Sequence, residues 1–156
     1  LENDNYVFDG SGGVKCEVDG VLLKPSLTGF GAAKDELFIG SWQNEGFMSL
    51  SFRNNGESPD FTFKSVSIKV IDVVPETINE GDIYILESEL NSSYGRITNY
   101  TYQDENFTTN DQNIGDLEIV FHDLENRILG GTFEFDAINE GGVIVKVRKV
   151  EFYMKY

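Results

Sequence analysis

The chain has one cysteine and one histidine in 156 residues. No intramolecular disulfide can form, and a zinc site of nitrogen and sulfur ligands cannot be assembled from it. A Ser-His-Asp or Cys-His catalytic centre would depend wholly on His122. That residue lies in a strand pattern, on the parity opposite Leu117, Ile119 and Phe121, and reads as an exposed strand histidine. Basic residues are also scarce: 12 Lys and Arg stand against 27 Asp and Glu, a net charge of −15. A phosphate backbone or an anionic membrane surface would be repelled, so nucleic acid and an anionic membrane surface are disfavoured as partners. A cation, a basic partner or a neutral ligand such as a sugar stays compatible, and so does a purely solubilising role for the acids.

Long apolar runs are missing too, and nothing approaches the roughly 18 residues of a membrane span. No stretch of a dozen residues carries apolar positions at i, i+3, i+4 and i+7, so helix is minor or absent. There are only three Pro but 16 Gly, as many strands joined by tight turns require. Twelve Phe, seven Tyr and one Trp supply a core. A chain of this length buries roughly 70% of its unfolded surface without a staple.

The clearest stretch is the end, Arg127 to Tyr156. Phe133, Phe135 and Ala137 alternate with Thr132, Glu134 and Asp136, the period of a strand with one buried face. Asn139-Glu140-Gly141-Gly142 turns the chain. Val143, Val145 and Val147 then occupy one parity and Val150, Phe152, Met154 and Tyr156 the other. The switch needs one extra residue, which predicts a β-bulge at Arg148-Lys149.

Upstream, Leu1 to Gly13 reads as a flexible tether with an edge strand at Tyr6-Val7-Phe8, and residues 14–156 as a single β domain. Val14 to Val18, Asp19-Gly20 and Val21 to Leu23 make a hairpin with an Asp-Gly turn. Within it Val14, Cys16 and Val18 share a face, so the thiol is buried and inert. Lys24-Pro25-Ser26 ends this hairpin, and Leu27 to Lys34 is a loop.

Glu36 to Trp42 and Phe47 to Arg53 flank a turn at Gln43 to Gly46, and Asn54 to Asp60 is dense in turn residues. Phe61 to Ile71 is a long strand with a parity change that predicts a bulge near Lys64-Ser65. Pro75 to Asp82 is a linker and Ile83 to Glu87 a short strand. Tyr94 to Gln103 is a strand, Asp104 to Asn113 a polar loop, and Gly115 to His122 a strand. Nine to ten short strands in successive hairpins predict an all-β antiparallel sandwich or barrel.

Chemistry is sparsely marked. Glu134 and Asp136 share a strand face, but a solvated face accounts for them as well as a glycosidase pair does. Calcium is the cofactor most compatible with the composition, with oxygens from Glu2 to Asn5 or Asp104 to Asp111. Neither segment has the spacing of a calcium loop, and turn chemistry explains both. The aromatic set Trp42, Tyr94, Tyr100, Tyr102 and Phe107 is a candidate platform for stacking on sugar rings; alternatively these rings fill the core or pair across strands.

The two ends of the chain carry a resemblance. Val14-Lys15-Cys16-Glu17-Val18-Asp19-Gly20 is followed by Leu23-Lys24-Pro25. Gly115-Asp116-Leu117-Glu118-Ile119 is followed by Gly130-Gly131-Thr132-Phe133-Glu134-Phe135-Asp136-Ala137, then Val143 to Val147 and Phe152 to Tyr156. These segments resemble an uncharacterised family of small Bacteroidetes lipoproteins with a G-T-F-x-F-x-A C-terminal hairpin. The middle, Leu27 to Asn113, matches only in having strands, and Leu22 or Leu23 stands where the family has an aromatic. The resemblance implies export, a lipidated cysteine upstream of Leu1, and residence in the periplasm or at the outer membrane. It assigns no catalytic residue. The expectation is thus a monomeric, non-enzymatic envelope domain that binds an unknown protein or glycan. A carbohydrate-binding module and a lipocalin-like carrier of a small apolar ligand are the alternatives.

Overall fold

The computed structural model describes residues 13–23, 35–53, 63–90, 92–100 and 105–156. The expected tether with its Tyr6-Val7-Phe8 strand, the loop after Leu23 and the turn at 54–60 lie outside the described residues. Among the described residues, eleven strands and one 3-10 turn, Pro75–Thr77, make up the regular structure. The strands are β1 Gly13–Val18, β2 Val21–Leu23, β3 Glu36–Trp42, β4 Glu45–Arg53, β5 Phe63–Ile71 and β6 Ile83–Leu86. They continue as β7 Tyr94–Tyr100, β8 Glu105–Thr108, β9 Gly115–Asp123, β10 Ile128–Ile138 and β11 Ile144–Lys155. All pair antiparallel, in the order β2-β1-β11-β10-β8-β7-β5-β4-β3, with β6 and β9 branching from β10. The sheet curls into a half-barrel.

Alternation decides what the curl encloses. Met48, Leu50 and Phe52 on β4 and Val66, Ile68 and Val70 on β5 are buried at 1% exposure or less. Phe133, Phe135 and Ala137 on β10 join them in one core. The hairpin turns follow the backbone chemistry of their residues. Asp19 and Gly20, and likewise Gln43 and Asn44, all have positive φ, as two-residue hairpins with the sheet's own twist demand. The second turn is therefore two residues long, and Glu45 and Gly46 already belong to β4.

At the terminal hairpin Phe133 pairs with Val150 and Phe135 with Val147, which leaves Arg148 and Lys149 opposite Glu134. The bulge is where the parity switch placed it. Lys149 takes a positive φ of 52°, and the Arg148 guanidinium donates to the Asp136 carboxylate at 2.6 Å and to the Phe135 carbonyl at 3.1 Å.

Three expectations are corrected. β5 pairs with β7 from Phe63↔Tyr100 to Lys69↔Tyr94 without a shift, so no bulge interrupts Lys64-Ser65. The segment expected to be a polar loop contains β8, because Phe107 is an apolar residue with a place in the core. The strand through His122 carries a bulge of its own: Gly131 pairs with Ile119 and Gly130 with Phe121, leaving Val120 extra. That one residue turns Phe121 outward, against Tyr153, and carries His122 to the side of Leu129.

The fork in the sheet lies at Phe135. Its partner Gly115 is the last residue of β9 to pair with β10, and three residues later Ile138 pairs with Thr108 of β8. A Cβ on Gly95 of β7 would lie 2.7 Å from the Phe135 ring, and one on Gly115 would enter the β10 backbone. Gly95 leaves room for the ring, and Gly115 lets the β10 backbone approach β9 at the fork.

Candidate functional site

On the convex face the β3–β4 hairpin, the end of β5 and the start of β7 surround an open cleft of about 480 Å³. That size suits a small-molecule or saccharide ligand. Inward residues of β4 are Met48, Leu50 and Phe52, so Phe47 points out. By the same alternation Lys69 and Ile71 of β5, Tyr94 of β7 and Trp42 of β3 line the cleft. Pairing sets their spacing: Phe47 faces Ile71, and Lys69 faces Tyr94, across adjacent strands. Asp72, with a φ of 60°, turns the chain out of β5, and Val73 and Val74 fold over Gly46 so closely that no side chain fits there.

Three carboxylates, Glu45, Asp72 and Glu89, share the lining with one ammonium, that of Lys69. The Lys69 ammonium sits 5.1 Å from the centre of the Phe47 ring, and Phe47 in turn contacts Phe38 at 5.1 Å. The Arg96 guanidinium lies 5.6 Å from the Tyr94 ring centre and pairs with Glu89. Burial raises the Tyr94 phenol pKa above its usual value, Arg96 lowers it in part, and Glu89 adds to the rise. The phenol is therefore protonated at neutral pH and available to donate a hydrogen bond. The Ser92 hydroxyl is satisfied by Ser88, donating to its carbonyl at 2.7 Å and accepting from its amide at 3.0 Å.

Trp42 stands apart from these satisfied groups. It is 71% exposed at the end of β3, and fully burying an indole would stabilise the fold far more than leaving it in water.

Of the five aromatics singled out in the sequence, the structure brings together Trp42 and Tyr94. Phe107 is not part of a platform: it is 3% exposed, pairs with Ile97 and belongs to the core. Tyr100 ends β7, at the opposite end of the β5–β7 ladder from Tyr94, with its side chain outside the described residues, and Tyr102 lies outside them altogether. Phe47, Lys69, Asp72 and Glu89 were missed. The signal for Phe47 was present, since it has the parity opposite Met48, Leu50 and Phe52.

Comparison of the chain with protein-family models, with curated proteins and with solved structures finds no match. The function must therefore be argued from geometry.

Other candidates are less developed. Among the described residues no three His, Cys, Asp or Glu side chains gather as a metal site would need. In the 110–113 turn the Asn110 side-chain oxygen already accepts from the Gln112 and Asn113 amides, which is turn chemistry rather than ion coordination. Glu134 is exposed and Asp136 is held by Arg148. A smaller notch of about 210 Å³ is lined by Val120, Phe121, Gly130, Phe152 and Tyr153, with Thr132 and Glu151 beside them.

His122 is half-buried rather than exposed. Its Nδ1 lies 2.9 Å from the Ile78 carbonyl and its Nε2 2.7 Å from the Tyr156 hydroxyl. A carbonyl only accepts, so Nδ1 carries the proton and, in the neutral ring, Nε2 accepts from Tyr156. The imidazole ties the 3-10 segment to the C-terminus.

Cys16 is 1% exposed, and burial, with a smaller contribution from Glu17, pushes its thiol up to about 12. It is expected to resist alkylation at about pH 8 in the folded protein and to react on unfolding, as thiol titration would read. An unfolded thiol ionises near 9.0, so the folded state binds more protons between there and about 12. Stability contributed by this group is therefore complete below 9.0 and declines as pH rises through that window.

Proposed function

We propose that the protein is a non-enzymatic binding module whose ligand is a saccharide held in the Trp42–Phe47–Tyr94 cleft. The observation that carries this reading is Trp42 itself, left 71% exposed beside Tyr94 and Phe47 in a cleft rimmed by carboxylates. Sugar rings present apolar faces and polar edges, and such a cleft offers aromatic faces to the first and oxygen acceptors to the second. A carrier of an apolar ligand inside the curl is less well supported, because Phe52, Phe135, Leu50 and Met48 already fill it. The setting we propose with the module is the bacterial cell envelope, through a lipid anchor upstream of Leu1. That part rests on the resemblance of the Gly130 to Ala137 hairpin and its flanks.

The test uses the sole tryptophan of the chain as its own reporter. Titration with neutral and charged oligosaccharides should shift the Trp42 emission to shorter wavelength and raise the unfolding midpoint. Trp42→Ala should weaken binding by about thirtyfold, as removal of a central aromatic anchor does. The unfolding midpoint without ligand should barely move, since surface substitutions cost about 0.5 kcal/mol or less. A panel of oligosaccharides that leaves both the emission and the midpoint unchanged would overturn the saccharide reading.

A further inference from the structure

We infer that the saccharide taken by the cleft is an amino sugar with free, protonated amines, an inference that rests on the saccharide reading above. Two of the three lining aromatic rings are already covered by a cation: Lys69 lies over Phe47, and Arg96 over Tyr94. The first contact is a diagonal across the β4–β5 register and the second joins residues two apart on β7, so both follow from strand geometry, which makes this a surface of aromatic faces directed at positive charge. Trp42 has the most cation-attracting type of ring, and no described cation covers it.

The carboxylates point the same way. Glu89 is engaged by Arg96, but Glu45 and Asp72 are exposed and no described cation pairs with either. Glu45 is the direct cross-strand partner of Trp42. A ring stacked on the indole would thus hold its substituents beside that carboxylate. The chain's net charge of −15 adds a field of the same sign. Uronic acids and sulfated sugars would be repelled, and an N-acetylated sugar would lose the charge that the site is built to meet. A glucosamine oligomer combines the apolar ring face with an ammonium on each residue.

The experiment compares a glucosamine tetramer, its N-acetylated counterpart and a neutral glucan of the same length, by Trp42 emission and by calorimetry. It is run at about pH 6, where such amines are protonated. The glucosamine oligomer should bind about tenfold more tightly than the other two at low salt. This advantage should shrink in 0.5 M salt, where the screening length falls below about 5 Å. The double variant Glu45→Gln, Asp72→Asn should bring the affinity ratio close to one; Asn tolerates the positive φ that Asp72 adopts. Circular dichroism and the unfolding midpoint would establish that the variant is folded.

Equal affinity for the three oligomers, or a ratio unchanged in the double variant, would overturn the amino-sugar inference and leave the saccharide reading standing. Failure of all three to bind would remove both.

Discussion

Phe135→Ala is expected to destabilise the protein by about 3–5 kcal/mol, among the largest effects of any single truncation in the chain. The ring is 1% exposed and stacks at 6.2 Å on Phe133, which itself lies 6.2 Å from Phe152. More than its burial, its position makes it costly to remove. It occupies the fork where β10 exchanges β9 for β8, with Gly95 and Gly115 pressed against it. The surrounding strands are held by their ladders and cannot close over the void, so the cavity term adds to the lost transfer energy. For a domain of this size the midpoint should fall by roughly 6–20 °C. Urea denaturation would measure it; a loss under about 1 kcal/mol would mean the ring is not the plug of the fork.

The second large effect is expected from Gly95→Val, through the opposite fault. A Cβ there would lie 2.7 Å from the Phe135 ring, closer than unstrained atoms approach. Strand β7 has little freedom to withdraw. The Gly95 amide donates to Thr109 Oγ1 at 3.1 Å and the Thr109 amide donates back to the Gly95 carbonyl at 3.0 Å, both buried. Overpacking should cost about 3 kcal/mol. Because one ring mediates the strain, combining Gly95→Val with Phe135→Leu should restore part of what the first substitution loses. Simple additivity in that double-mutant cycle would count against the shared notch.

Much of this architecture was legible in the chain. The alternation of Phe133, Phe135 and Ala137, the Asp19-Gly20 turn and the bulge at Arg148-Lys149 are local facts, read from neighbours in sequence. The Val120 bulge was not legible, because apolar residues at 117, 119, 120 and 121 leave no parity switch to see. For the same reason His122 was assigned to the wrong face. Segment 104–113 looked like a loop because a four-residue strand with one core residue, Phe107, is too short for periodicity to register.

The candidate site was half legible. Aromatic type alone singled out Trp42 and Tyr94, which the fold brings into one cleft, but could not distinguish them from Phe107, whose burial depends on a strand pairing between distant residues. Lys69, Asp72 and Glu89 carry no signal as isolated letters. They gain one only when the Lys69↔Tyr94 register sets them beside the aromatic rings.

By itself, then, the sequence determined the all-β class, the hairpins and most of the inward-facing residues. Each depends on backbone alternation and turn chemistry that act over a few residues. Only the tertiary structure decided that β10 forks between β9 and β8 and that the sheet curls into a half-barrel. The same holds for the cleft, where Trp42, Phe47, Tyr94 and three carboxylates meet. Those features depend on which distant strands pair and in what register, and many pairings satisfy the same local pattern until Gly95 makes room for the Phe135 ring and Gly115 for the β10 backbone.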